Sequence, residues 1–239
     1  MPFPLDTAPK RESFKNSNFR GIAKSLAYDI CPIARLPYLI EQMKSKTPDE
    51  KCLRYLVDTE NKLWFALEGP GGGHYTPCHY QMTGEPSSNS RCIAVGNIEI
   101  SDKAGGGFQV AMLNHKSGDF LPNFDTLQWV LGILLANEKT LSAANIFFAP
   151  HLSLEKLTSR GGTDETFSVT KSELDLWLPE TFDSKTIDSF KAQPTELKHV
   201  TYDPPVRAER KREGREDDKS LSSDDLGLPR PPPKCRRAF

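Results

Sequence analysis

The sequence predicts an α+β fold, an antiparallel sheet of hairpins packed against helices. It places this in one domain, residues 20–200, between a flexible segment, 1–19, and a disordered, charged and proline-rich tail, 201–239. Three observations carry the prediction. Two pairs of short runs rich in β-formers are each separated by turn residues. Apolar residues recur at helical spacing on either side of them. After Asp203-Pro204-Pro205 the composition turns abruptly to charge and proline, from which no core can form.

Residues 1–19 hold three prolines and little apolar periodicity, which predicts a flexible lead-in. Ile22, Leu26 and Ile30 recur every four residues and predict a helix from Arg20 that Pro32 ends. A second helix is expected from Pro37 to Lys46, with Leu39, Ile40 and Met43 as its buried stripe. Leu53–Val57 and Leu63–Leu67 flank Asp58-Thr59-Glu60-Asn61 as one hairpin. Ile93–Ile100 and Phe108–Leu113 form another, in which Gly105-Gly106-Gly107 supply the positive-φ positions of a tight reversal.

Past Pro122, Asn123 is placed to cap a helix whose apolar face is Leu127, Val130, Leu131, Leu134 and Leu135. Asn145–Ala149 reads as a buried strand, and Leu174, Leu176 and Leu178 alternate as a shorter one. There is no internal repeat.

A chain of 239 residues that is 37% hydrophobic can bury a proper core. With 31 basic and 32 acidic residues it has no global field to recruit nucleic acid. Its apolar stretch Leu131–Ala136, like every other, is far short of the roughly 20 residues a membrane span needs. The first residues lack the pattern of a secretory signal peptide. Five cysteines without Cys-x-x-Cys spacing (Cys31, Cys52, Cys78, Cys92 and Cys235) read as reduced thiols of a cytosolic environment.

Chemically capable residues concentrate in two segments at strand ends, His74–Glu85 and Asn114–Pro122. His79 and His115 are the candidate general bases, Ser117 or Cys78 the candidate nucleophile, and Asp119 or Glu85 the groups that would orient an imidazole. The bland alternative is that both histidines cap turns. Asn114, Ser117 and Gly118 add a polar turn entering a helix, suited to an anion or a sugar hydroxyl, or to a rigid connector. The His74-x3-Cys78-His79 spacing matches no zinc pattern, so no metal site is expected. Neither glycine run has the context of a phosphate loop, and no cofactor is specified.

Three stretches, in order, carry a resemblance: His79-Tyr80-Gln81-Met82-Thr83-Gly84, then Ala94-Val95-Gly96-Asn97-Ile98, then Ser117-Gly118-Asp119-Phe120-Leu121-Pro122 with Leu127 beyond. Residues 74–135 resemble a domain shared by plant IQ-motif calmodulin-binding proteins and bacterial toxin-like or effector-like chains. Asp119 stands where that family has a histidine, and no IQ motif precedes the domain, so calmodulin binding is not carried over.

In the tail, Leu228-Pro229-Arg230-Pro231-Pro232-Pro233-Lys234 fits a polyproline II ligand of an SH3 domain, with Pro229 and Pro232 in the grooves and Lys234 as the terminal cation. The charged end with Ser222-Ser223-Asp224-Asp225 is similar to signal-peptide-independent translocation signals of intracellular bacteria. The expected function is therefore a secreted effector-like protein that binds or acts on a host cytosolic protein. A transferase or hydrolase with a histidine base, and an SH3-docking adaptor, are the alternatives.

Overall fold

A computed structural model describes residues 3–5, 8–17, 25–46, 51–69, 74–84 and 87–202, all within one compact unit, Met1–Pro204. It has mixed helices and strands arranged on a large sheet, as the patterning predicts. The strands are β1 (Phe14–Lys15), β2 (Leu26–Pro32), β3 (Cys52–Val57), β4 (Leu63–Leu67), β5 (Arg91–Cys92), β6 (Ala94–Asp102), β7 (Phe108–Asn114), β8 (Ile146–Leu157), β9 (Thr163–Thr170) and β10 (Lys198–Tyr202). The α-helices are α1 (Leu36–Lys46), α2 (His79–Met82), α3 (Leu127–Ala136), α4 (Glu138–Ala143), α5 (Lys171–Thr181) and α6 (Ser184–Lys191).

Eight strands form one sheet in the order β10-β2-β4-β3-β6-β7-β8-β9, and β1 pairs with β5 beside it. Every neighbouring pair is antiparallel except β7 and β8. Those two run parallel because α3 and α4 intervene, and such a pair needs a crossover rather than a turn. The expected hairpins β3–β4 and β6–β7 are both present. Gly105, Gly106 and Gly107 take φ of 87°, 104° and 83° in the second of them.

Side chains alternate across the sheet and build two cores. Leu53, Tyr55, Phe65, Ile98 and Leu113 face the larger one, under α1, α3, α5 and α6. Leu56, Trp64, Ala66 and Val95 face a smaller one, closed by Met82 of α2, by Phe120 and by Val200. α3 is buried along its whole length, not on one stripe, and Gly132 admits Phe190 and Phe182 where a Cβ would stand only 2.7 Å and 3.0 Å from their rings.

Two expected elements are of the other kind. Leu26–Pro32 is strand, not helix: a four-residue spacing is also a multiple of two, and Leu26, Tyr28 and Ile30 line one face of β2 against the smaller core. The start of that expected helix lies outside the described residues. Leu174–Leu178 is helix, not strand. Thr170 and Glu173 form a capping box that starts α5, and Leu174, Trp177 and Thr181 are buried while Leu176 is 67% exposed.

The N-terminal segment is also engaged where it is described. Phe3 stacks on Trp177 with centroids 5.2 Å apart, Leu5 is buried, and Phe14–Lys15 pairs as a strand. Of the expected disordered tail, 201–239, Thr201 and Tyr202 are strand, paired in β10 with β2, and residues 203–239 lie outside the described residues.

Candidate functional site

The site is built on a polar row that crosses four strands of the sheet. Arg54 of β3, Asn97 of β6, Asn114 of β7 and Glu155 of β8 are successive register partners, so their side chains share the face of the smaller core. Asn114 ties the row together. Its Nδ2 donates to Glu155 Oε2 at 3.3 Å, and its Oδ1 accepts from the N–H groups of Asn97 at 3.2 Å and Lys116 at 3.1 Å. That last bond turns the chain out of β7 into the 115–122 loop.

Arg54 fixes the opposite wall. It donates to Glu68 Oε2 at 2.8 Å, to Gly69 O at 2.8 Å and to Pro77 O at 2.8 Å, a planar fork spent on holding Glu68, Gly69 and Pro77 in place. Cys78 follows at the N-cap of α2, its N–H donating to Gln81 Oε1 at 2.6 Å. Burial raises the Cys78 thiol, opposed by the Arg54 charge, so it stays protonated at neutral pH.

Between these walls lies a cavity of about 200 Å³, lined among others by Arg54, Glu68, His79, Asn97, Lys116 and Asp119. Five of the sequence-predicted residues meet here: Cys78, His79, Ser117, Gly118 and Asp119. The backbone comes very close beneath it. A Cβ on Gly96 would stand 1.9 Å from the Asn114 carbonyl oxygen and 2.8 Å from the Tyr55 hydroxyl, so only glycine fits.

His79 is buried, and its Nε2–H donates to Gly96 O at 3.1 Å, which assigns the proton to that nitrogen. Burial, then the Arg54 charge, push its pKa down to about 3. The ring is therefore neutral under any physiological condition.

Ser117 Oγ accepts from the N–H groups of Asp119 at 3.3 Å and Phe120 at 3.4 Å, closing the turn. Asp119 Oδ2 accepts from Tyr80 N–H at 3.4 Å, and burial raises its carboxyl above the ordinary range. Its carbonyl accepts from both the N–H and the hydroxyl of Ser17.

His115 is turned away from this cavity. Its Nδ1–H donates to Pro122 O at 2.9 Å and its Nε2 accepts from Leu157 N–H at 2.9 Å, while Phe124 packs against its ring at 6.1 Å. Burial lowers its pKa. Both nitrogens are committed, so the two histidines do not form one proton-transfer pair. Glu85, Pro229, Pro232 and Lys234 lie outside the described residues.

Sequence reasoning missed Arg54, Asn97, Lys116 and Glu68. A signal existed for two of them, since Arg54 and Asn97 are polar residues inside otherwise apolar runs, 53–57 and 93–98. Asn97 Oδ1 is buried with no hydrogen-bond partner among the described residues, an uncommon condition for an atom that costs about 1–3 kcal/mol to leave unmet. No cluster of three or more His, Cys, Asp or Glu among the described residues is arranged to hold a metal ion. No described helix is long and apolar enough to cross a membrane. Compared with protein-family models, curated proteins and solved structures, the chain matches none.

Proposed function

We propose that this chain acts by binding, and that the cavity between Asn97 and Asp119 receives a neutral, hydroxyl-rich group carried by a host cytosolic protein. The observation that carries the reading is Asn97, a residue of the cavity lining whose buried Oδ1 has no hydrogen-bond partner among the described residues. A ligand hydroxyl supplies the donor it lacks. The charges around it are Arg54 and Lys116 against Glu68 and Asp119, which cancel. A balanced set of donors and acceptors suits a group that is both donor and acceptor and has no net charge.

A hydrolytic or transfer reaction finds less support, because the groups it needs are committed. The His79 imidazole is neutral and tethered, the Ser117 hydroxyl closes a turn, and the Cys78 thiol is protonated. Saturation-transfer NMR with methyl hexosides, hexitols, alkylammonium ions and short carboxylates tests the reading. Transfer to the hydroxylated compounds alone supports it, whereas preference for a charged compound contradicts it.

The effector role rests on the ordered motifs of residues 74–135 and on the tail. A fusion of residues 203–239 to a translocation reporter should be delivered into host cells, and failure of delivery removes that role. Leu228–Lys234 supports a second reading as an SH3 ligand. An unchanged set of captured proteins for Pro232→Ala ends it.

A further inference from the structure

On the other side of the 115–118 loop lies a second, larger cavity of about 610 Å³, within the range of roughly 300–1,000 Å³ usual for small-molecule sites. It opens between the 115–124 loop and the turn joining β8 to β9. Its apolar lining is Leu121, Pro122, Phe124 and Leu157. Phe124 packs against Phe167, with centroids 5.3 Å apart, and against His115. His115 brings no charge, being neutral and bonded at both nitrogens.

All the ionic groups lining this cavity are cations: Lys116, Lys156 and Arg160. Among the described residues Lys156 has only distant acidic partners, Asp164 at 3.7 Å and Glu165 at 3.8 Å on β9. Arg160 has no ion-pair partner among the described residues. Leu121, at the lip, is 60% exposed and held at φ 50°. That left-handed conformation costs a residue with a Cβ about 1–2 kcal/mol. The chain thus keeps a large apolar side chain strained and in water beside an aromatic wall and a cationic rim.

We propose that this cavity binds a small organic anion, a carboxylate or sulfonate head on a rigid aromatic body. The ring lies between Leu121 and Phe124, and the head meets Arg160 and Lys156, where guanidinium donors match its oxygens. The proposal does not rest on the hydroxyl-group reading of the smaller cavity, which takes a different ligand.

The probe is 8-anilinonaphthalene-1-sulfonate, titrated by fluorescence into the full chain below its unfolding temperature. One saturable site per chain is expected. Arg160→Glu weakens it at least tenfold, and the uncharged N-phenyl-1-naphthylamine binds at least tenfold more weakly than the sulfonate. Leu121→Gly relieves the backbone strain, so it raises the melting temperature while weakening the probe several-fold. That opposite movement separates loss of the site from loss of the fold. Unsaturable binding, equal affinity of Arg160→Glu or Leu121→Gly, or equal affinity for the uncharged probe overturns the proposal.

Discussion

The Leu157 N–H donates to Nε2 of His115 across 2.9 Å, and the same ring donates from Nδ1 to the Pro122 carbonyl at 2.9 Å. The imidazole thus acts as a staple between β8 and the loop that follows β7. His115→Ala leaves the Leu157 N–H and the Pro122 carbonyl without these partners, and should cost about 2–3 kcal/mol. Urea unfolding of wild type and variant measures it; a loss under about 0.5 kcal/mol means the staple has no structural role.

Acid sensitivity should follow from the same two histidines. His79 titrates near 3 when folded, against about 6.5 when unfolded, and His115 is also lowered. Below pH 6.5 the unfolded chain takes up protons that the folded chain refuses. The stability His79 contributes is complete above about pH 6.5 and is lost as pH falls toward 3, at about 1.4 kcal/mol per pH unit. Asp119 works the other way: its raised carboxyl favours the fold at low pH and costs stability as pH rises through its folded pKa. Unfolding free energies from pH 7 to 4 should fall in wild type and fall less steeply in His79→Gln. Parallel profiles would contradict the assignment.

Gly96→Ala should destabilise by about 3 kcal/mol or more. The added carbon meets the Asn114 carbonyl, a backbone atom fixed in the sheet, with no flexible side chain to give way. Thermal melting checks this, and a near-wild-type melting temperature would mean that β6 and β7 can separate there at little cost.

Arg54→Lys keeps the charge and loses the fork. Lysine cannot serve Glu68, Gly69 O and Pro77 O at once. Hydrogen–deuterium exchange of the amides of residues 74–76 and of Cys78 should quicken about tenfold or more, while those of β8 stay as they are. Uniform change across the chain would instead indicate global destabilisation.

The hairpins were legible because their turns carry glycine or Asx residues between period-two runs. β2 was not, since Leu26 and Ile30 satisfy both a helical and a strand period. For α5, three alternating leucines outweighed the Thr170-x-x-Glu173 capping box, which was visible and decided the outcome. β9, rich in threonine and charge at a sheet edge, has little apolar pattern to read.

At the site, Ser117 and Asp119 were found because they follow the end of β7, and His79 because it lies in the polar segment between β4 and β5. Their separation from His115 depends on which side of one loop a ring points, which spacing does not encode. Arg54 and Asn97 stand out in the sequence as polar residues in apolar runs, but setting them side by side required the register of β3 and β6.

The most direct test of the binding site is Asn97→Leu, measured twice. Leucine removes an unmet buried acceptor from β6 without touching the Asn97 backbone bond to Asn114. The account predicts that stability holds or rises by about 1 kcal/mol while saturation transfer to hydroxylated ligands disappears. A variant that is destabilised by more than about 1 kcal/mol, or that still binds as wild type does, contradicts it.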